Sequence, residues 1–98
     1  MYEDVAYLEK AKEAQDEYGN IVQEYEPRQV YVLERSVTRS EFYEAATAGL
    51  KPSIVLVLSN RADYNGEKRV EYKGIGYDVV RTYTTGDAIE LTLEERIK

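Results

Sequence analysis

The chain has 98 residues and a formal net charge of −6, and it contains neither cysteine nor histidine. This length fits one domain, residues 1–98, with a single modest core. Without cysteine there are no disulfides, thiolate nucleophiles or zinc–thiolate sites, and without histidine the commonest acid–base catalyst at neutral pH is missing. The negative charge argues against binding nucleic acid by neutralising its phosphates.

Membrane insertion and export are not expected. No apolar run approaches the roughly 20 residues that a membrane-spanning helix needs. The first residues, MYEDVAYLEK, are acidic where a secretory signal is basic. A chain without cysteine also fits a reducing cytoplasm.

Two strands joined by a turn are predicted for the first third of the chain. Residues 3–11 alternate weakly, DEYGN at 16–20 supplies the turn, and RQVYVLERSV at 28–37 alternates clearly. Pro27 has no N–H and should lie at the start or the edge of the second strand. The residues that share a face are Val5 with Tyr7, Val30 with Val32, and Tyr31 with Leu33.

A helix is predicted over residues 39–48. Thr38 and Glu41 have the spacing of a capping box, in which each side chain accepts a hydrogen bond from the other's backbone N–H. Gly49 can adopt the left-handed conformation that ends a helix, and Pro52 prevents continuation. A stripe at helical spacing is expected to pack in the core; its members are Phe42, Ala45, Ala46 and Gly49.

The second half of the chain predicts further strands. SIVLVLSN is apolar on both faces, which is typical of a central strand covered on both sides. VEYKGIGYDVVRTY predicts a hairpin that turns at Gly74, where φ must be positive. Each of its strands carries a tyrosine, Tyr72 and Tyr77, and Gly76 should mark a bulge or bend. AIELTLEERI alternates strictly, with Ile89, Leu91 and Leu93 inward.

These elements predict a mainly β fold: a small antiparallel six-stranded barrel or sandwich with one short helix between strands 2 and 3. No catalytic residue, cofactor site or metal site is predicted. DYNGE at 63–67 resembles part of a calcium loop, but Gly74 stands where the closing glutamate belongs, so a plain turn is favoured. The other side chains considered, as carboxylate acids or phosphate-binding arginines, were Glu24, Glu26, Glu94, Glu95, Arg28, Arg35 and Arg39.

Four segments, taken together and in order, resemble the head closure (stopper) proteins of the head–tail connector of long-tailed bacteriophages and prophages. The segments are DEYGN at 16–20, RSEFYEAATAGLKP at 39–52, YNGEKRVEYKGIGYDVVRTY at 64–83 and IELTLEE at 89–95. Within the third segment, Tyr72, Gly74, Tyr77, Val79 and Arg81 match the family's hairpin. Gly76 departs from it, because a polar strand residue is expected there.

The resemblance implies a non-enzymatic β-barrel that forms a ring below the portal and adaptor, closes the DNA channel and docks the tail. Its partners would be portal or adaptor proteins, tail-completion or tail proteins, and further copies of itself. Any contact with packaged DNA would be limited to the channel, and no membrane would be a partner. The protein would be found at the head–tail interface of the virion, and in the bacterial host cytoplasm during assembly.

The same resemblance implies that the connection over residues 36–52 faces neighbouring subunits or the channel. The interface residues predicted there are Arg39, Glu41, Tyr43, Glu44 and Lys51, and the structural residues predicted alongside are Thr38, Phe42, Gly49, Tyr72, Gly74 and Tyr77. An acidic channel wall would also let DNA slide, because it does not bind phosphate tightly. The alternatives are another head–tail joining part, such as an adaptor or tail-completion protein, or a stand-alone small barrel that binds oligonucleotides or peptides.

Overall fold

The structure, a computed structural model, describes residues 3–96 and has the predicted fold. Six antiparallel strands close a barrel in the order β1-β2-β3-β6-β5-β4, and one short α-helix lies between β2 and β3. The elements are β1 (Asp4–Gln15), β2 (Ile21–Arg35), α1 (Arg39–Thr47), β3 (Ile54–Leu58), a single 3-10 turn (Arg61–Asp63), β4 (Arg69–Tyr72), β5 (Ile75–Thr85) and β6 (Ala88–Glu95).

The barrel interior is filled by the inward positions of all six strands. Val30 and Val32 share a face, as the alternation predicts, and that face points inward; Tyr72 and Tyr77 are buried in the same cluster. β3 is covered on both faces, since Val55 is fully buried although it points away from that cluster. The core residues are Ala6, Leu8, Val30, Val32, Leu56, Leu58, Val70, Tyr72, Tyr77, Ile89, Leu91 and Leu93.

β1 and β2 are longer than predicted and extend beyond the barrel. They pair from Asp4 with Val32 through to Gln15 with Ile21, whereas β4 covers β1 only over Ala6–Glu9. β3 covers β2 only over Leu33–Arg35. Residues 10–15 and 21–26 therefore form a two-stranded ribbon, here called the arm, that reaches about 20 Å at the usual rise per residue.

Pro27 is not at the start of β2 but inside it, where it pairs with Glu9. β2 has no second neighbour at this point, so Pro27 lies on an edge of the sheet, where proline is tolerated. The edge position expected for Pro27 is thus confirmed, and the strand start is wrong.

One end of the barrel is closed by a buried ion pair. The Glu67 side chain is only 2% exposed, and its carboxylate accepts hydrogen bonds from the Arg28 guanidinium at 2.8 Å and the Asn65 N–H at 2.8 Å. Burial alone would raise the pKa of Glu67, but these hydrogen bonds outweigh it and the pKa is lowered. The Tyr64 hydroxyl donates to the Glu67 carbonyl at 2.6 Å and fixes the turn over this end.

At the other end the Tyr72 hydroxyl lies between two carboxylates. Its single proton can be accepted by Glu34, at 2.9 Å, or by Asp4, at 3.2 Å. Burial raises the pKa of Tyr72, and the two acceptors raise it further, so the hydroxyl remains a proton donor. Tyr72 therefore joins β4 to both strands of the β1–β2 pair.

Gly76 does not mark a bulge, contrary to the sequence-based expectation. It pairs regularly with Glu71, and the irregularity in β5 lies between Val79 and Arg81. Gly76 instead leaves room for another side chain: a Cβ there would come within 2.7 Å of the Arg96 guanidinium, which would have to shift. Arg96 lies over this position, with Nη2 donating to the Tyr77 carbonyl at 2.9 Å and Nε to Asp78 at 3.2 Å.

The hairpin turn at Lys73-Gly74 yields a first testable prediction. Both residues have positive φ, 52° and 78°, as in a type I′ turn, and a Cβ on Gly74 would meet nothing within 4 Å. Gly74→Val should therefore lower the free energy of unfolding by about 1–2 kcal/mol through backbone strain alone. Urea denaturation measures this, with Gly74→Asn as the control, because asparagine tolerates the left-handed region better. An unchanged valine midpoint would contradict the turn geometry.

Candidate interaction surfaces

α1 begins and ends with the signals read from the sequence. The Thr38 hydroxyl accepts from the Glu41 N–H at 3.2 Å, and the Glu41 carboxylate accepts from the Thr38 N–H at 2.9 Å, which confirms the capping box. Gly49 has a φ of 78°, and the Leu50 N–H returns to the Ala45 carbonyl at 3.0 Å. The helix ends at Thr47, one residue before the predicted end.

The helix face that packs on the barrel is not the predicted apolar stripe. Ala45 is the buried residue of α1, while Phe42 and Ala46 are exposed, so the expectation that these two pack in the core is wrong. The inward face is instead formed by Glu41, Glu44, Ala45 and Ala48, which line a cleft against Val80, Arg81 and Thr92 on the outer face of β5 and β6.

Two arginines of the barrel fix the rotation of the helix. Arg35 forms a two-pronged pair with Glu41, both N–O distances being 3.0 Å, and also binds Glu90 at 2.6 Å. Arg81 binds Glu44 at 2.9 Å. Both glutamates must face the barrel to make these pairs. Phe42 and Tyr43, which follow Glu41 and precede Glu44, are therefore turned outward.

Glu41, predicted at the interface and also as a helix cap, makes the cap and pairs with Arg35. The Arg35 guanidinium and the Thr38 N–H lower the pKa of Glu41 from 4.5 to about 2. The same bonds raise the pKa of Arg35 above its already high ordinary value. Glu41 is committed to holding α1 on the barrel.

The lowered pKa of Glu41 predicts how stability depends on pH. A carboxyl whose folded pKa lies below its unfolded value stabilises the fold above about pH 4.5, and this contribution is lost as the pH falls towards 2. Screening at a side chain that is 29% exposed reduces it to about 1–2 kcal/mol. Glu41→Gln keeps the cap but cannot ionise. The free-energy difference between wild type and Glu41→Gln should therefore shrink from pH 7 to pH 3 in urea titrations, and a constant difference would contradict the assignment.

The outward face of α1 presents an aromatic surface, here called the helix patch: Arg39, Phe42, Tyr43 and Ala46. Phe42 is 43% and Tyr43 62% exposed, with their ring centroids 6.2 Å apart in an edge-to-face arrangement. Among residues 3–96, Arg39 has no ion-pair partner, unlike Arg35 and Arg81. The predicted interface residues Arg39 and Tyr43 thus lie together.

The remaining predicted interface residues lie apart from this patch. Glu44 is exposed but paired with Arg81 across the helix–barrel cleft. Lys51 is exposed after the helix, where its backbone N–H donates to the Glu94 carboxylate at 2.5 Å. The structure therefore brings two of the five predicted residues, Arg39 and Tyr43, into one accessible surface.

Sequence reasoning missed a second apolar surface on the outside of β1 and β2, here called the strand patch: Val5, Tyr7, Tyr31 and Leu33. Tyr31 pairs directly with Val5, and Tyr7 lies one same-face step along β1. Tyr7 is 39%, Tyr31 60% and Leu33 37% exposed. The sequence does carry a signal for this patch. RQVYVLERSV is apolar on both faces, and only the Val30–Val32 face fills the barrel, so the other face is left apolar and outside.

The arm was also missed, although its turn was predicted. The Asp16 carboxylate accepts from the Tyr18 and Asn20 N–H groups, both at 2.9 Å, and the Asn20 hydrogen bond leads the lowering of the pKa of Asp16. Lys12 pairs with Glu26 at 2.6 Å along the exposed ribbon. Tyr18 and Ile21 are 80% and 69% exposed at the tip. The arm is thus an ordered projection that ends in apolar side chains.

The polar side chains considered for chemistry make internal pairs. Glu67 of DYNGE is bound to Arg28, and the segment is a turn as predicted. Residues 3–96 hold no group of three or more acidic side chains arranged to bind a metal ion. Within the same range no helix has the length and apolar character needed to cross a membrane.

Comparison with known proteins adds no family assignment. No family model matches the chain, and no curated protein is significantly similar to it.

Proposed function

We propose that this protein is a structural, non-enzymatic component of the head–tail connector of a long-tailed phage or prophage. It forms a ring below the portal and adaptor, closes the DNA channel and offers the tail a docking surface. Its place of action is the head–tail interface of the virion, after assembly in the host cytoplasm. Its partners are the portal or adaptor ring and tail-completion or tail proteins.

The observation that carries the proposal is where the resembling segments lie on the barrel. DEYGN forms the tip of the arm, and residues 39–52 form α1 and its return to β3. Residues 64–83 form the turn and hairpin that close the barrel against β1. The resemblance therefore extends over the elements that project from the barrel as well as those that close it.

The chemistry of the projecting elements supports an assembly role. The helix patch combines two exposed aromatic rings with an arginine that has no ion-pair partner among the described residues. Aromatic residues and arginine are the side chains that most often dominate the energy of protein interfaces. The buried polar groups described above, such as Glu67 with Arg28, serve the fold, so no catalytic role is needed to explain them.

The direct test is reconstitution with the portal–adaptor complex of the same phage, imaged by electron microscopy. We expect an additional ring of density below the adaptor, of a size that fits several copies of this barrel. A variant with Tyr43→Ala and Arg39→Ala lacks the two proposed anchors of the helix patch and should give less of this density. Complexes that remain unchanged after adding an excess of folded wild-type protein would refute the proposal.

A further inference from the structure

The helix patch and the strand patch lie on opposite sides of the barrel. In the strand order β1-β2-β3-β6-β5-β4, the β1–β2 pair is separated by one strand on each side from the β6–β5 pair. α1 covers the outer face of β5 and β6, whereas the strand patch is on the outer face of β1 and β2. A head-to-tail contact between identical subunits requires two different binding surfaces on opposite sides of each subunit.

From this arrangement we propose that the helix patch of one copy docks on the strand patch of the next copy of this chain. The contact is heterologous, so each subunit uses both surfaces and the chain of contacts can close into a ring. This inference rests on the proposed function in one respect: the contact would hold together the ring that the connector role requires.

The chemistry of the two patches favours a second copy as the occupant. Both patches are rich in aromatic and aliphatic side chains in a protein of which 33% is charged, and interface centres are depleted of charge and enriched in tyrosine. Arg39 borders the helix patch, and Glu71, which pairs in register with Tyr7, borders the strand patch. Within residues 3–96 neither Arg39 nor Glu71 has an ion-pair partner, so docking would bring together a free cation and a free anion.

The absence of cysteine from the sequence allows a clean cross-linking test. Ser40→Cys places a thiol beside the helix patch and Gln29→Cys places one beside the strand patch, both at exposed positions outside the patches themselves. A short bis-maleimide reagent is added to each variant alone, to their mixture, and to mixtures containing Asp87→Cys, an exposed control on the β5–β6 turn. Thermal melts establish that each variant is folded.

In the Ser40→Cys and Gln29→Cys mixture we expect covalent heterodimers to form at least about tenfold faster than in any mixture with Asp87→Cys, because docking raises the local thiol concentration. A chain with both cysteines should give a ladder of multimers. If either variant is unfolded, Thr47→Cys and Glu3→Cys, also exposed and outside the patches, test the same contact.

Two outcomes overturn the proposal. Equal rates for the patch mixture and the Asp87→Cys mixtures would show that the patches do not dock. Faster cross-linking of one single-cysteine variant with itself would show a two-fold contact between like patches. The cross-linking test contains no phage component, so a negative result leaves the connector proposal standing. Conversely, if the protein forms a ladder of multimers but adds no density to the portal–adaptor complex, only the connector role is refuted.

Discussion

A phage that lacks this protein should not be rescued by the variant with Arg39→Ala and Tyr43→Ala, although the variant folds. Both side chains lie on the exposed face of α1, where Tyr43 is 62% exposed, so the thermal midpoint should stay within a few degrees of wild type. Interface energy is concentrated in a few aromatic and arginine anchors, so losing both should reduce the plaque titre by orders of magnitude. Microscopy should show heads that have lost DNA and have not joined tails.

The matched control removes the same two residue types elsewhere on the surface. Tyr18→Ala with Arg61→Ala alters the arm tip and the turn after β3, and both residues are exposed. We expect this variant to complement better than the α1 variant. A normal titre from the folded α1 variant, with loss in the control, would place the assembly surface on the turns around residues 16–20 and 63–67.

Replacing Arg28 with methionine should give the largest loss of stability, about 2–4 kcal/mol at pH 7. The reason is that Glu67, with a side chain only 2% exposed, would be left as a buried carboxylate without its cation. The expected loss of stability is smaller than for a fully buried ion pair, because Arg28 is 40% exposed and water can occupy the space that its side chain leaves. Urea denaturation provides the measurement.

Two controls separate the lost charge pairing from lost packing. Adding Glu67→Gln to Arg28→Met removes the unpaired charge while an amide oxygen still accepts from the Asn65 N–H, so most of the stability should return. Without Arg28, burial should raise the pKa of Glu67, so the deficit of the single variant should shrink as the pH is lowered from 7 towards 5. A deficit that neither Glu67→Gln nor lower pH relieves would contradict this account.

The sequence predicted those features that depend on neighbouring residues. The ends of α1 follow from Thr38, Glu41 and Gly49, whose hydrogen bonds and backbone angles are local. The β4–β5 turn follows from Gly74 in the same way, and the inward face of β6 follows from its alternation. Together these signals were enough to predict a mainly β fold with one helix after the second strand.

The candidate surface could be predicted only in part, because the rotation of α1 is set by distant residues. From the sequence alone, Phe42 and Ala46 were the natural core residues and Glu41 a surface residue. The structure reverses these assignments, since Arg35 of β2 and Arg81 of β5 pair with Glu41 and Glu44 and turn the aromatic side chains outward. Neither ion pair produces a periodic apolar pattern, and Arg81 is 37 residues away from Glu44, so hydrophobic spacing could not reveal them.

The sequence by itself thus determined the type and order of the elements, the caps and the turns, because each depends on propensities and hydrogen bonds within a few residues. Tertiary structure alone decided where β1 and β2 leave the barrel as the arm, which face of α1 is exposed, and which side chain lies over Gly76. The reason is physical: these features depend on strand lengths matched across the sheet and on guanidinium groups that arrive from other strands, as Arg96 does over Gly76. The opposition of the helix patch and the strand patch exists only once the barrel has closed.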